Sequence, residues 1–151
     1  MDVRSSFLKT FPSNFEQFSE ILEYGSLGNY YVYLHILECV SKDDANYTCT
    51  LLLSLGSEAY SGIDAQGDLQ QMLVKFAISY PDLLIREFKN LNLDRQKNIA
   101  SFLVADVENF DAYGEFYSLL GIVKNRRENH LYDLLISAKE AQLKQVEQDH
   151  Q

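Results

Sequence analysis

Between Tyr80 and Leu103 the chain carries the pattern of a complete helical hairpin, and this segment restricts the fold more than any other. Pro81 stands where a first helical turn tolerates a missing N–H, and Asp82 places negative charge at the positive end of the helix. Leu84, Phe88 and Leu91 follow at spacings of four and three, which line one helical face. Asn92 is a suitable cap for a second helix, on which Ile99, Phe102 and Leu103 share a face. Two helices joined so tightly pack antiparallel, and neither hides its apolar stripe alone. The expectation is an all-α chain of about eight short antiparallel helices.

The rest of the chain repeats the pattern. Ser13-Asn14-Phe15-Glu16 reads as a capping box opening a helix with Phe15, Phe18, Ile21 and Leu22 inward, ending at Gly25. Asn29 then caps a helix through Ser41 with Tyr30, Tyr33, Leu34 and Leu37 inward. Tyr31, Ile36 and Val40 widen that stripe, which implies a central helix touched from several sides. Ala45 to Leu55 reads as a third helix, although Leu51-Leu52-Leu53 beside Tyr47 and Thr48 also suits a buried strand.

Gly56 to Gly67 is the longest irregular stretch, and Tyr60 within it marks a candidate functional loop. Leu69, Met72, Leu73 and Phe76 align on a helix over Asp68 to Ser79, followed by the Pro81 hairpin. After a turn at Asn109 to Ala112, Phe116, Leu119, Leu120 and Val123 define a seventh helix. Leu131, Leu134, Leu135 and Ala138 define an eighth, beginning near Arg127. Residues 1–12 read as an arm and 142–151 as a frayed polar tail around a single domain.

Successive helix pairs with a Pro-Asp start and an Asn cap resemble the units of HEAT-like α-solenoids, most closely over residues 66–108. That resemblance implies stacked hairpins whose one layer of helices forms a concave surface for another protein. An irregular bundle is the alternative arrangement.

Charge narrows the partners. Net charge is −9, from 13 basic and 22 acidic residues, the opposite of what nucleic acid or an anionic bilayer requires. Two stretches lack Lys and Arg. Asp43 to Val74 carries Asp43, Asp44, Glu58, Asp64 and Asp68; Asn98 to Val123 carries Asp106, Glu108, Asp111 and Glu115. Such carboxylates steer a cationic partner, and exposed Tyr60 and Tyr113 supply contact area. The only basic cluster is Lys124, Arg126 and Arg127, where phosphate recognition competes with a structural role at a helix end.

Motifs for chemistry are sparse. His35 and Glu38 lie three apart on one helix face, and a metal would need ligands from elsewhere. His35 is expected to hydrogen-bond Glu38 or a backbone carbonyl, and His130 to face water. Cys39 and Cys49 bracket the turn before the third helix, close enough for a disulfide, which would imply an oxidising compartment. No nucleophile elbow, phosphate loop or zinc signature is present in the sequence, and no cofactor is implied. No run approaches the roughly 20 apolar residues of a membrane span, and no signal peptide is expected from the opening residues.

The first expectation is therefore a non-enzymatic domain that binds a basic protein, of the kind that acts as a bacterial immunity factor or toxin inhibitor. The alternatives are an enzyme with a dispersed site near His35 and Glu38, or a self-associating structural domain. The residues leave the compartment open.

Overall fold

The structure, a computed structural model, describes residues 2–20, 30–59, 65–105 and 113–150, with the side chains of residues 30, 31, 65, 66 and 113 outside that description. The expected Gly25 turn, Asn29 cap and turn at 109–112 also lie outside it. Among the described residues every regular element is helical: α1 Val3–Thr10, α2 Phe15–Phe18, α3 Tyr30–Val40, α4 Ala45–Glu58, α5 Ala65–Ser79, α6 Pro81–Lys89, α7 Leu93–Val104, α8 Tyr113–Asn125 and α9 Asn129–Asp149. A 3₁₀ turn, Ser41–Asp43, links α3 to α4. The chain is all-α, as its periodicity implies.

Both helices of the expected hairpin form where their residues dictate. However, α6 packs on α4 and α5, and the expected antiparallel packing of α6 on α7 is not among the main helix contacts of the described residues. Pro81 takes the first turn of α6, and the Asn92 side chain accepts the Arg95 N–H at 2.9 Å to cap α7. Leu84, Phe88, Ile99, Phe102 and Leu103 are all buried. The described residues near both ends of the chain are helical. The presumed arm is α1, capped by Asp2, whose Oδ1 accepts the Ser5 N–H at 2.8 Å, and seated through buried Leu8 and Phe11. The presumed frayed tail continues α9 to Asp149, through a run of Ala, Gln, Leu, Lys and Glu that favours helix.

Three further expectations are corrected. The cap of α2 is Asn14, which accepts the Gln17 N–H at 2.8 Å, because the Ser13 carbonyl is held by the Ser54 hydroxyl of α4 at 3.0 Å. The Leu51-Leu52-Leu53 segment is helix, and α4 runs past Leu55 to Glu58, so Gly56 is not the start of a loop. The central helix is α4, not α3. Leu51, Leu52, Leu53 and Leu55 are all buried, and α4 touches α2, α5, α6 and α7. On α3, Leu34, Leu37 and Val40 face inward while Val32 and Ile36 are 42% and 37% exposed.

Helix contacts run in two files. In one, α1 meets α3, α3 meets α5 and α5 meets α8; in the other, α2 meets α4, α4 meets α7 and α7 meets α9. Short α6 lies against α4 and α5. At Gly56 α4 comes close to α7 and α5. A Cβ added at Gly56 would stand 3.0 Å from Phe102 Cδ1, 3.1 Å from Ile99 Cδ1 and 3.2 Å from Leu73 Cδ2. Even a methyl group here would press on these three side chains by a few tenths of an ångström.

Helix ends are satisfied by side chains from neighbouring helices, since their last carbonyls have no partner within the helix. Buried Gln70 of α5 donates to the Leu103 and Ala105 carbonyls at 2.9 and 2.5 Å, closing α7. Asn98 donates to the Ser57 carbonyl at 3.1 Å, closing α4. Gln96 donates to the Phe88 carbonyl at 3.2 Å, closing α6. The end of α8 closes itself. Arg127 N–H reaches the Lys124 carbonyl at 3.0 Å and Glu128 N–H reaches Val123 at 3.2 Å, the paired bonds of a Schellman turn. Its left-handed position, usually glycine, is Arg127 with φ 57°.

Three substitutions test these points by denaturant melts. Gly56→Val is expected to destabilise the fold by about 2–3 kcal/mol through overpacking, whereas Gly121→Ala, on open helix surface, stabilises it by about 1 kcal/mol. Arg127→Gly relieves the left-handed strain and is expected to add about 0.5–1 kcal/mol of stability.

Candidate functional site

Most of the candidate carboxylates that the structure describes hold the protein together. Asp43 pairs with the Arg4 guanidinium, which also donates to the Cys39 carbonyl at 3.0 Å and so fastens α1 to the end of α3. Asp44 caps α4, accepting the Tyr47 N–H at 3.0 Å. Glu58 reaches across from the end of α4 to accept the Phe15 N–H at 3.0 Å, at the start of α2. Asp68, in the first turn of α5, is exposed. Tyr60, Asp64, Asp106, Glu108 and Asp111 lie outside the described residues, as does the side chain of Tyr113, whose backbone opens α8.

Asp68 belongs to a groove of about 200 Å³ between α3 and α5. Leu34 and Met72, both buried, contribute apolar surface, while His35, Glu38, Asp68 and Lys75 bring charge and hydrogen-bonding groups. Neither Glu38 nor Asp68 has an ion-pair partner among the described residues. Exposed Val32 and Ile36, one turn apart, run along the outward side of α3 and do not line this groove. No other candidate carboxylate among the described residues lies in this groove.

His35 does not pair with Glu38. Its Nε2 stands 3.8 Å from Cys39 Sγ, one helical turn onward, and both residues are exposed. The expected Cys39–Cys49 disulfide is absent, because α3 turns Cys39 outward while α4 buries Cys49 completely. Burial pushes the Cys49 thiol up to about 12, with Glu87 adding to the rise. Among the described residues no three His, Cys, Asp or Glu side chains converge as a metal site.

Of the basic cluster Lys124, Arg126 and Arg127, Arg126 is held in an ion pair. Arg126 Nε donates to Asp82 Oδ1 at 2.6 Å and Lys89 Nζ to Glu128 Oε1 at 2.8 Å, tying the α8–α9 turn to α6. These cations face carboxylates around a cleft of about 480 Å³, which leaves little net charge for a phosphate. His130 is exposed, as expected, and also donates Nε2–H to Gln96 Oε1 at 2.8 Å, orienting the amide that closes α6.

One of the structural roles was legible: an Asp directly before a helix, as at Asp44, is a capping signal. The roles of Asp43 and Glu58 depend on Arg4 and Phe15, 39 and 43 residues away, and no local pattern reports them. The His35–Cys39 pairing was readable as an i, i+4 spacing.

No family model, curated protein or solved structure matches the chain. Among the described residues no helix is long and apolar enough to cross a membrane.

The two thiols are expected to separate chemically. A thiol reagent added to native protein labels Cys39 rapidly, and Cys49 only after denaturation. Because the folded Cys49 thiol keeps its proton above the ordinary 9.0, the unfolded chain binds fewer protons at high pH. Its contribution to stability is full below 9.0 and declines as pH rises towards 12. Urea melts of Cys49→Ala should lack that component of the alkaline decline.

Proposed function

We propose that this chain is a non-enzymatic protein-binding domain that uses the α3–α5 groove to hold a basic protein. The observation that carries the reading is the outward side of α3. Val32 and Ile36 expose apolar surface there, while on the flank of α3 that faces α5 the Glu38 and Asp68 carboxylates have no ion-pair partner among the described residues. Apolar contact supplies the buried centre of an interface, and the acidic groups speed encounter with a positive surface. The net charge of −9 acts in the same direction over longer range.

Two files of helix contacts are compatible with stacked helical hairpins of the HEAT-like kind, with α6 standing in neither file, and an irregular bundle is the alternative. In such a stack one file lines a surface for a partner. An immunity factor or inhibitor that covers a basic toxin is the form this reading takes by analogy of charge and fold class. Self-association through the third predicted helix loses its basis, because α4 spends its apolar residues in the core.

The test is affinity capture from the source cells with wild-type chain and with the double reversal Glu38→Lys, Asp68→Lys. Wild type is expected to retain a basic protein, identified by mass spectrometry, with an association rate falling about tenfold or more as salt rises from low to physiological levels. The reversed chain, with equal stability, is expected to lose it. Equal capture by both chains, or no salt-sensitive partner at all, overturns the assignment.

A further inference from the structure

We propose that His35 and Cys39 form half of a tetrahedral site for a thiophilic divalent cation, zinc being the probe, and that a second copy of this chain supplies the other half. The geometry starts from one distance. Cys39 Sγ and His35 Nε2 stand 3.8 Å apart on successive turns of α3. Zinc binds imidazole nitrogen at about 2.0–2.1 Å and thiolate sulfur at about 2.3 Å, so at angles of about 110–120° the two donors are about 3.6–3.8 Å apart. The pair is therefore already spaced to chelate, without any change of backbone.

Two donors do not complete the coordination shell. Among the described residues no third His, Cys, Asp or Glu of the chain converges on the pair. Zinc held by Cys and His in closed sites takes four ligands, and a two-fold axis through the ion doubles His35 and Cys39 into a Cys₂His₂ set. The surface around the pair suits such an axis. Val32, Ile36, His35 and Cys39 are all exposed along one side of α3, so two copies would meet apolar surface to apolar surface beside the ion.

Charge makes the association conditional. Two chains of −9 repel each other when no metal is bound. On binding, each Cys39 thiol releases its proton to solvent, and two thiolates neutralise the divalent ion. The bridge would cover the α3–α5 groove, so the dimer and capture of a basic partner exclude one another. The metal step does not depend on the partner reading, because its readout needs this chain alone.

The experiment is sedimentation velocity on the full chain in a phosphine reductant, which prevents a disulfide from imitating the bridge. Added zinc is expected to convert monomer to dimer at one ion per two chains, reversed by a chelator. Cobalt in place of zinc should give a thiolate-to-cobalt charge-transfer band. His35→Ala and Cys39→Ser alter exposed side chains and are expected to keep wild-type melting temperatures while weakening zinc binding by 100-fold or more and abolishing the dimer. Cys49→Ala should leave both intact. Dimerisation without zinc, binding of one zinc per chain by a persistent monomer, or undiminished binding by His35→Ala would each overturn the proposal.

Discussion

The crossing of α4 and α7 at Gly56 is the constraint on which the rest of the structure depends. Phe102, Ile99 and Leu73 lie within 3.0–3.2 Å of where a Cβ would stand, so three helices converge on a single missing methyl. Close approach lets α4 bury Leu51, Leu52, Leu53 and Leu55 against several neighbours at once. Helices of this length are marginal alone, and most of their stability comes from burying an apolar face. With α4 enclosed, α2 and α7 are placed in one file and α5 in the other, and α3 is left at the edge.

Packing helices this tightly leaves their ends inside the protein, where backbone groups need partners. The chain answers with long polar side chains from adjacent helices. Gln70, Gln96 and Asn98 donate to orphan carbonyls, and Glu58 accepts an orphan N–H. This use has a consequence for the surface. Asp43, Asp44 and Glu58 count towards an acidic exterior in the sequence, yet each is committed to an internal contact. The acidic character available to a partner among the described candidates narrows to the α3–α5 groove, where Glu38 and Asp68 have no such duty.

Periodicity reported the helices well because a helix that must bury one face writes that need at spacings of three and four. The start of α6 at Pro81, the inward residues of α5 and α8, and the Asn92 cap were readable on this basis, whereas the packing of α6 on α4 and α5 was not. It failed where apolar residues surround a helix. Both α3 and α4 carry wide apolar surface, and composition does not say which one the others enclose. The glycine at position 56 suggested a break, but a glycine demanded by close approach and one demanded by a turn look alike in a linear reading. His35 was matched to the nearest carboxylate, while the helical turn delivered Cys39 to it instead.

Sequence alone determined that this protein is all-helical, acidic, and devoid of any familiar catalytic motif, because those properties are carried by local spacing and by a sum of charges. The tertiary structure decided which helix became the centre, which carboxylates were absorbed as caps and clamps, and which face of α3 was left outward with Val32, Ile36, His35 and Cys39 upon it. Those outcomes depend on contacts between residues some 40 positions apart. Such contacts are selected by the shape of the whole packed interior, and no window of neighbouring residues contains that shape.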